Sequence, residues 1–313
     1  MAASPWAPSN SWRSDVTDAF DRLPDHLPPV APNTGPFPHR AFLSAVERAA
    51  LVDSAETIPV DGPTGGAILV AEGGTVRFAG PEDLTDYHSP LGDVRDLLEE
   101  TFSGLSGLPF RFDSMPTEAC DVVVSALTAT SASFAVSEHE ATAVLDLPET
   151  FDDWLASIGK KERHEVRRKR RRFEAEFGAI EIERMGADGI SEFSTMHRSS
   201  EGEKGTFMTD EMEAFFFDLL ETAGASIHHL VCGGKIRASA FGFETPNGYF
   251  YYNSAYDRDA AMASPGVVLF SSLIELQIDR GATVFDFLKG QEPYKYRHGA
   301  VARPLYVAEG TFA

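Results

Sequence analysis

Between His228 and Ala255 three apolar runs are joined by two turn signals, and this stretch constrains the fold more than any other. His228–Cys232 passes through Gly233-Gly234 into Lys235–Glu244, and Thr245-Pro246-Asn247-Gly248 turns into Tyr249–Ala255. Loops this short connect antiparallel neighbours, so the three runs form a meander. Ala263-Ser264-Pro265-Gly266 then opens an apolar helix, Val267–Arg280, which Gly281 ends before a further strand, Thr283–Leu288. A meander followed by a strand–helix–strand crossover makes a mixed sheet with helices on its faces, an α+β arrangement.

The rest of the second half is read the same way. Phe151–Ile158 and Lys160–Phe177 are helices interrupted at Gly159, and the second carries Val166, Arg170, Phe173 and Phe177 on one stripe. Ile180–Arg184 is a strand; Ile190–Ser200 and Thr209–Ala223 are helices, the latter with Asp210 as its expected cap. A short helix around Pro293–His298 and a strand at Leu305–Ala308 close the chain. The first half is less regular. Six prolines between Pro24 and Pro38 mark residues 1–36 as a flexible tail. A helix over Ala41–Val52, a hairpin from Ala67–Ala71 to Thr75–Ala79, a helix over Val94–Phe102, and strands at Arg111–Phe112 and Asp121–Leu127 follow. A boundary near Ala143–Pro148 divides this region, 37–145, from a second domain, 146–313.

Charge narrows the function. The chain of 313 residues carries a formal net charge of -21, which opposes general binding to nucleic acid or to anionic membranes. Yet residues 160–172 hold nine Lys or Arg and two Glu, leaving 18 basic against 46 acidic groups elsewhere. Three readings of this helix stay open: a solvated face balancing acidic neighbours, a site for an anionic ligand through Arg167, Arg168 and Arg171, or a membrane-surface contact. Two isolated cysteines, Cys120 and Cys232, give neither a disulfide framework nor metal-ligand spacing. His228 and His229 alternate across a strand and cannot share an ion, so they are expected at the core edge and the surface, and no metal is expected. No apolar run approaches a membrane span and the N-terminus has no signal-like pattern, so a cytoplasmic location is expected.

The loop Ser264-Pro265-Gly266-Val267-Val268 opens a helix directly from a strand, which places helix N–H groups and the positive end of a dipole where a phosphate can sit. Asp286, between Phe285 and Phe287, points away from both. It reads equally as a catalytic carboxylate or as an ion-pair partner of Lys289, Arg258 or Lys295. No Gly-x-Ser-x-Gly elbow suggests covalent catalysis.

The order Tyr256-Asp257, Ser264-Pro265-Gly266, Leu269, Arg280-Gly281, Phe285 to Gly290, Glu292 and Tyr294-Lys295 resembles the C-terminal half of the CelD/BcsL-type acyltransferases of the GNAT superfamily, cousins of the FemABX peptidyltransferases. Phe151, Leu155 and Ile158 before the basic helix, with Lys204-Gly205 and Asp210, extend the resemblance over about residues 146–300. Pro36-Phe37 and Asp86-Tyr87 fit a degenerate GNAT-like N-terminal half more loosely. The resemblance implies tandem GNAT-like domains and transfer of an acyl group, with acetyl expected, from acyl-CoA to an amine or hydroxyl acceptor, with a role in polysaccharide or cell-envelope synthesis. It implies that residues 264–268 cradle the CoA pyrophosphate, although Met262-Ala263 stand where more glycine and a Gln or Arg are usual. Asp286, Tyr256, Tyr294 and Lys289 are then the candidate acid–base groups, and Lys204 and Lys295 candidate acceptor contacts. Two alternatives remain, an aminoacyl-tRNA donor and a non-catalytic scaffold for glycan synthesis or export.

Overall fold

The computed structural model describes residues 16–49 and 56–313. Two short helices, α1 (Val16–Asp21) and α2 (Arg40–Arg48), precede a meander of β1 (Glu56–Asp61), β2 (Gly65–Glu72) and β3 (Thr75–Phe78). A two-residue strand, β4 (Leu91–Gly92), leads to α3 (Arg95–Ser103), β5 (Pro109–Met115), α4 (Thr117–Ala129) and the long β6 (Ser133–Asp146). Next come α5 (Phe151–Ser157), α6 (Lys160–Phe177), β7 (Glu181–Met185), α7 (Ile190–Arg198), α8 (Glu203–Phe207) and α9 (Asp210–Thr222). The expected second meander is β8 (Ala225–Cys232), β9 (Lys235–Glu244) and β10 (Gly248–Tyr256), followed by α10 (Pro265–Asp279), β11 (Val284–Lys289), α11 (Pro293–Arg297) and β12 (Val301–Thr311).

All strands belong to one mixed sheet, ordered β1-β2-β3-β5-β12-β6-β11-β10-β9-β8-β7, with β4 beside β2. The two halves repeat one plan. Each has a meander, a helix, a strand parallel to the last meander strand (β5 beside β3, β11 beside β10), another helix and a long strand. The long strands cross over: β12 pairs with β5, and β6 pairs with β11. The repeat extends to backbone detail. The register of β5 shifts between Phe112 and Met115, around Ser114 at φ 55, and that of β11 shifts between Asp286 and Lys289, around Leu288 at φ 60. A bulge of this kind turns the strand and re-aims its side chains.

Because of this exchange, the expected boundary near residue 145 does not separate two sheets: the last strand of the chain lies between β5 and β6. The expected tail is also packed once Phe20 is reached, since Phe20, Leu23 and Ala31 are buried. Proline removes a backbone donor, but it does not prevent apolar side chains from finding a core. Asp121–Leu127, expected as a strand, is the body of α4. Its buried residues Ala119, Cys120, Val123, Ala126 and Leu127 recur at helical spacing, which outweighs the strand propensity of three successive valines. The cap of α9 is Thr209 rather than Asp210, its hydroxyl accepting from Met212 N at 3.2 Å.

Three apolar clusters cover the sheet. One joins Phe37 and Phe42 of the first half to Phe215, Phe216 and Phe241 of the second. A second lies under α5, α6 and α10 and includes Trp154, Val166, Phe173 and Phe285. The third packs α3 and α4 onto the first half through Leu98, Phe102, Phe112 and Leu127. Among the described residues no helix is long and apolar enough to cross a membrane.

Candidate active site

Strands β10 and β11 are paired only at Gly248–Val284, Tyr249–Phe285 and Phe250–Asp286, and then they part. Two irregularities open them. The β10 ladder to β9 slips between Tyr251 and Asn253, and β11 takes its left-handed step at Leu288. The gap is a cleft of about 580 Å³, walled by Asn253, Ser254 and Tyr256 of β10, Gly266, Val267 and Phe270 of α10, and Phe287 to Lys289 of β11. It continues into a chamber of about 610 Å³ reached past Asp86, Tyr252, Asn253 and Lys289, which line both.

Asp86 stands at the junction. Its Oδ1 accepts from the Lys289 backbone N–H at 2.9 Å, which ties a loop of the first half to β11 across 203 residues. Burial raises its pKa, against the lowering effect of Lys289, and the neighbouring Glu140 charge adds to the rise. A half-buried carboxylate of raised pKa facing a cleft has the properties of a general base.

The residues expected to act are distributed differently. Asp286 is fully buried and does not line the cleft. It meets none of the three cations expected as partners: its Oδ2 is 2.6 Å from the Tyr87 hydroxyl and its Oδ1 accepts from Leu288 N at 2.7 Å. The Tyr87 hydroxyl lies 2.5 Å from Thr142 Oγ1, and Arg303 stacks 5.2 Å above the Tyr87 ring. Burial pushes the Asp286 carboxyl up to about 7. Lys289 lines the cleft, but its ammonium donates to the carbonyls of Glu82 at 2.7 Å and Thr85 at 3.2 Å, which suits an anchor rather than a base. Lys295 lines the cleft but is buried, with its ammonium on the carbonyls of Leu288, Lys289 and Gly290, where it holds the turn after β11. Tyr256 and Tyr294 both face the cleft, and burial raises the Tyr294 hydroxyl well above its ordinary value. Lys204 lies outside the described side chains.

At the head of α10, Ser264 adopts φ 63 and its side chain does not cap the helix. Val267 and Val268 N–H both point to the Ser264 carbonyl, at 3.1 and 3.3 Å. Of the five residues 264–268, Gly266 and Val267 line the cleft. A Cβ at Gly266 would meet nothing within 4 Å, so a ligand can approach the backbone closely there. The basic helix α6 packs through Val166 and Phe173 and through Arg170, which is 2.5 Å from Glu275 of α10. Arg167 pairs with Asp152 and Arg168 with Glu165, Arg171 is exposed, and none of the three lines the cleft. His228 and His229, expected at an edge and the surface, are both buried because β8 is covered on both faces. His229 Nδ1 lies 2.6 Å from Ser239 Oγ.

The repeat shows what occupies the corresponding gap between β3 and β5. Counting from the two bulges, Gly80 and Asp113 occupy the positions of Tyr252 and Phe287. There the gap is filled by His88. Its ring nitrogens lie 3.0 Å from the Asp113 carbonyl and 3.2 Å from the Gly80 carbonyl, and the ring stacks on Phe78.

A mixed sheet with a parallel pair that splays beside a helix N-terminus now has relatives. Residues 160–296 match the model of the Acetyltransferase (GNAT) domain. The fold is GNAT-like. No curated protein matches the chain. The crystal structure of FemX is similar, with a TM-score of 0.63 and 11% identity, over 93% of this chain and 95% of that one. A conserved protein of unknown function from Bacteroides thetaiotaomicron VPI-5482 has a TM-score of 0.60 and 15% identity, over 96% of this chain and 98% of that one. Identities this low speak for the GNAT-like fold alone.

The sequence pattern singled out some residues of the cleft walls, such as Tyr256, Gly266 and Val267, but not its carboxylates. Asp86 was legible only as half of an Asp-Tyr pair in the family resemblance, and Glu82, Asp83 and Glu140 carried no signal. They come from a loop and a strand of the first half, brought to β11 only by tertiary packing.

Proposed function

We propose that the protein is a GNAT-type acyltransferase that uses acyl-CoA as donor in the β10/β11 cleft, with Asp86 as general base. The observation that carries this reading is the open splay of β10 and β11, with a helix N-terminus at one end and a carboxylate of raised pKa at the other. The pantetheine arm would run between the strands, and the pyrophosphate would lie at Gly266 against the dipole of α10. At the Tyr251–Asn253 slip, the backbone leaves its ladder, so an N–H of β10 can face the thioester oxygen as charge develops on it.

In the reaction the acceptor gives one proton to Asp86. Its freed lone pair attacks the thioester carbonyl carbon, and the C–S bond breaks. For an amine acceptor the second nitrogen-bound proton passes to the departing sulfur, which leaves an amide and the CoA thiol. Tyr256 or Tyr294, both lining the cleft, would relay that proton, giving its own to the sulfur and taking the one from nitrogen.

The test is a calorimetric titration of the full chain with acetyl-CoA, followed by transfer assays on Asp86→Asn. Binding of acetyl-CoA is expected, with turnover lowered about 10²–10⁴-fold in the variant and CoA affinity little changed. Absence of CoA binding defeats the donor assignment, and full turnover by the variant defeats the base assignment. A FemABX-like reading has one feature in its favour, the exposed cations Lys160, Lys161 and Arg171 on α6. It predicts that charged tRNA replaces acyl-CoA as donor, with turnover steeply sensitive to salt.

A further inference from the structure

We infer that the acceptor is a primary amine carrying a second positive charge, as in a diamine or a basic side chain, held in the chamber beside Asp86. This rests on the acyltransferase reading and names the acceptor class for the same site.

The chamber, at about 610 Å³, is wide enough for an extended small molecule, and its entrance is Asp86. Three of its carboxylates, Asp83, Asp86 and Glu140, share the lining with one ammonium among the described residues, that of Lys289. That ammonium is already bound by two backbone carbonyls and stands 3.8 Å from Glu140, so it neutralises the chamber only in part. Glu82, the fourth carboxylate, has Arg111 at 3.3 Å and is in contact with His139. The other walls include two aromatic rings, Phe207 and Tyr252. A cation gains from such rings, while a neutral alcohol gains much less and an anion is repelled.

The position of the carboxylates also has a cause in the fold. Glu140 sits at the register shift where β12 passes from Leu305, opposite Glu140, to Tyr306, opposite Glu138, and His139 is the extra residue. The bulge lets consecutive side chains, His139 and Glu140, turn to the Glu82 side of the strand. The reacting amine then meets Asp86 at the junction with the donor cleft, and the second cation meets Asp83 and Glu140 farther in. Hydroxyl acceptors and acidic glycans lack the charge this chamber is built to match.

The test uses the full chain with acetyl-CoA and three acceptors of equal length: cadaverine, pentylamine and aminopentanol. Initial rates of thiol release are expected to give cadaverine a kcat/KM at least about tenfold above the other two, the worth of one partly screened charge contact. Adding salt should shrink that preference, and the double variant Asp83→Asn, Glu140→Gln should abolish it by raising the KM for cadaverine. Calorimetry with CoA runs in parallel. If CoA does not bind, the underlying reading fails. If CoA binds but cadaverine holds no advantage, or none of the three acceptors binds or reacts, this inference is overturned while the donor site stands. It is overturned equally if zinc or manganese binds in stoichiometric amount at Glu82, His139 and Glu140 and is required for turnover, because the carboxylates would then serve a metal.

Discussion

Replacing Asp286 by Asn should make the protein more stable at alkaline pH and leave it nearly unchanged in mild acid. The carboxyl is completely buried, and its pKa is raised from an ordinary 3.8 to about 7. The largest cause is burial, only partly opposed by the hydrogen bonds from Tyr87 and Leu288 N. The folded chain therefore holds this proton more tightly than the unfolded chain does. Its contribution is complete below the unfolded pKa and is lost as pH rises through about 7. Three pH units at ~1.4 kcal/mol each set the loss at roughly 4 kcal/mol. Asn reproduces the protonated network without titrating: its amide nitrogen can donate to the Tyr87 oxygen, Tyr87 then donates to Thr142, and its oxygen accepts from Leu288 N. Urea denaturation followed through the buried Trp154 measures the difference. The wild-type and variant free energies should agree to within about 1 kcal/mol near pH 4 and diverge by ~2–4 kcal/mol in favour of Asn near pH 9. A constant destabilisation of the variant over that range would mean that Asp286 stays ionised throughout, and would refute the reasoning.

Three further outcomes follow from the same geometry. Lys295→Met should cost about 2–3 kcal/mol in urea unfolding, because three carbonyls at the end of β11 lose a buried ammonium; an unchanged midpoint would count against the anchoring role. Gly266→Asp has room for its side chain and sets an acid in the first turn of α10, so the melting temperature should hold or rise while the CoA dissociation constant increases at least about tenfold. Reversing charge at Arg167, Arg168 and Arg171 should leave acetyl-CoA affinity within about twofold, since none of them lines the cleft; a large loss would bring α6 into the donor site.

Local patterning was readable wherever a period or a turn signal existed. The β8–β10 meander, the apolar α10 and the stripe on α6 appear in the structure within a few residues of where spacing places them. Reading failed where local and tertiary preferences conflict. The valines at 122–124 look like a strand until α4 buries one side of them. The proline-rich stretch looks unstructured until Ala31 and Phe37 find the core. At the site, Asp286 stood out because its neighbours are aromatic, yet the same burial that makes it conspicuous keeps it from substrate. Asp86 offered no such contrast, and its role depends on Lys289 N, 203 residues away.

What the sequence determined by itself is the second half's meander, its apolar α10 and the loop that opens that helix: period, turn chemistry and a Pro-Gly helix start are properties of neighbouring residues. The tertiary structure decided which strands meet, and with that the chemistry. Only the exchange of β6 and β12 brings the first half's carboxylates to the second half's cleft. Only the packing of His88 between Gly80 and Asp113 closes the sister cleft. Both depend on contacts between residues far apart in the chain, whose pairing is selected by burial and register across the whole sheet and leaves no local trace.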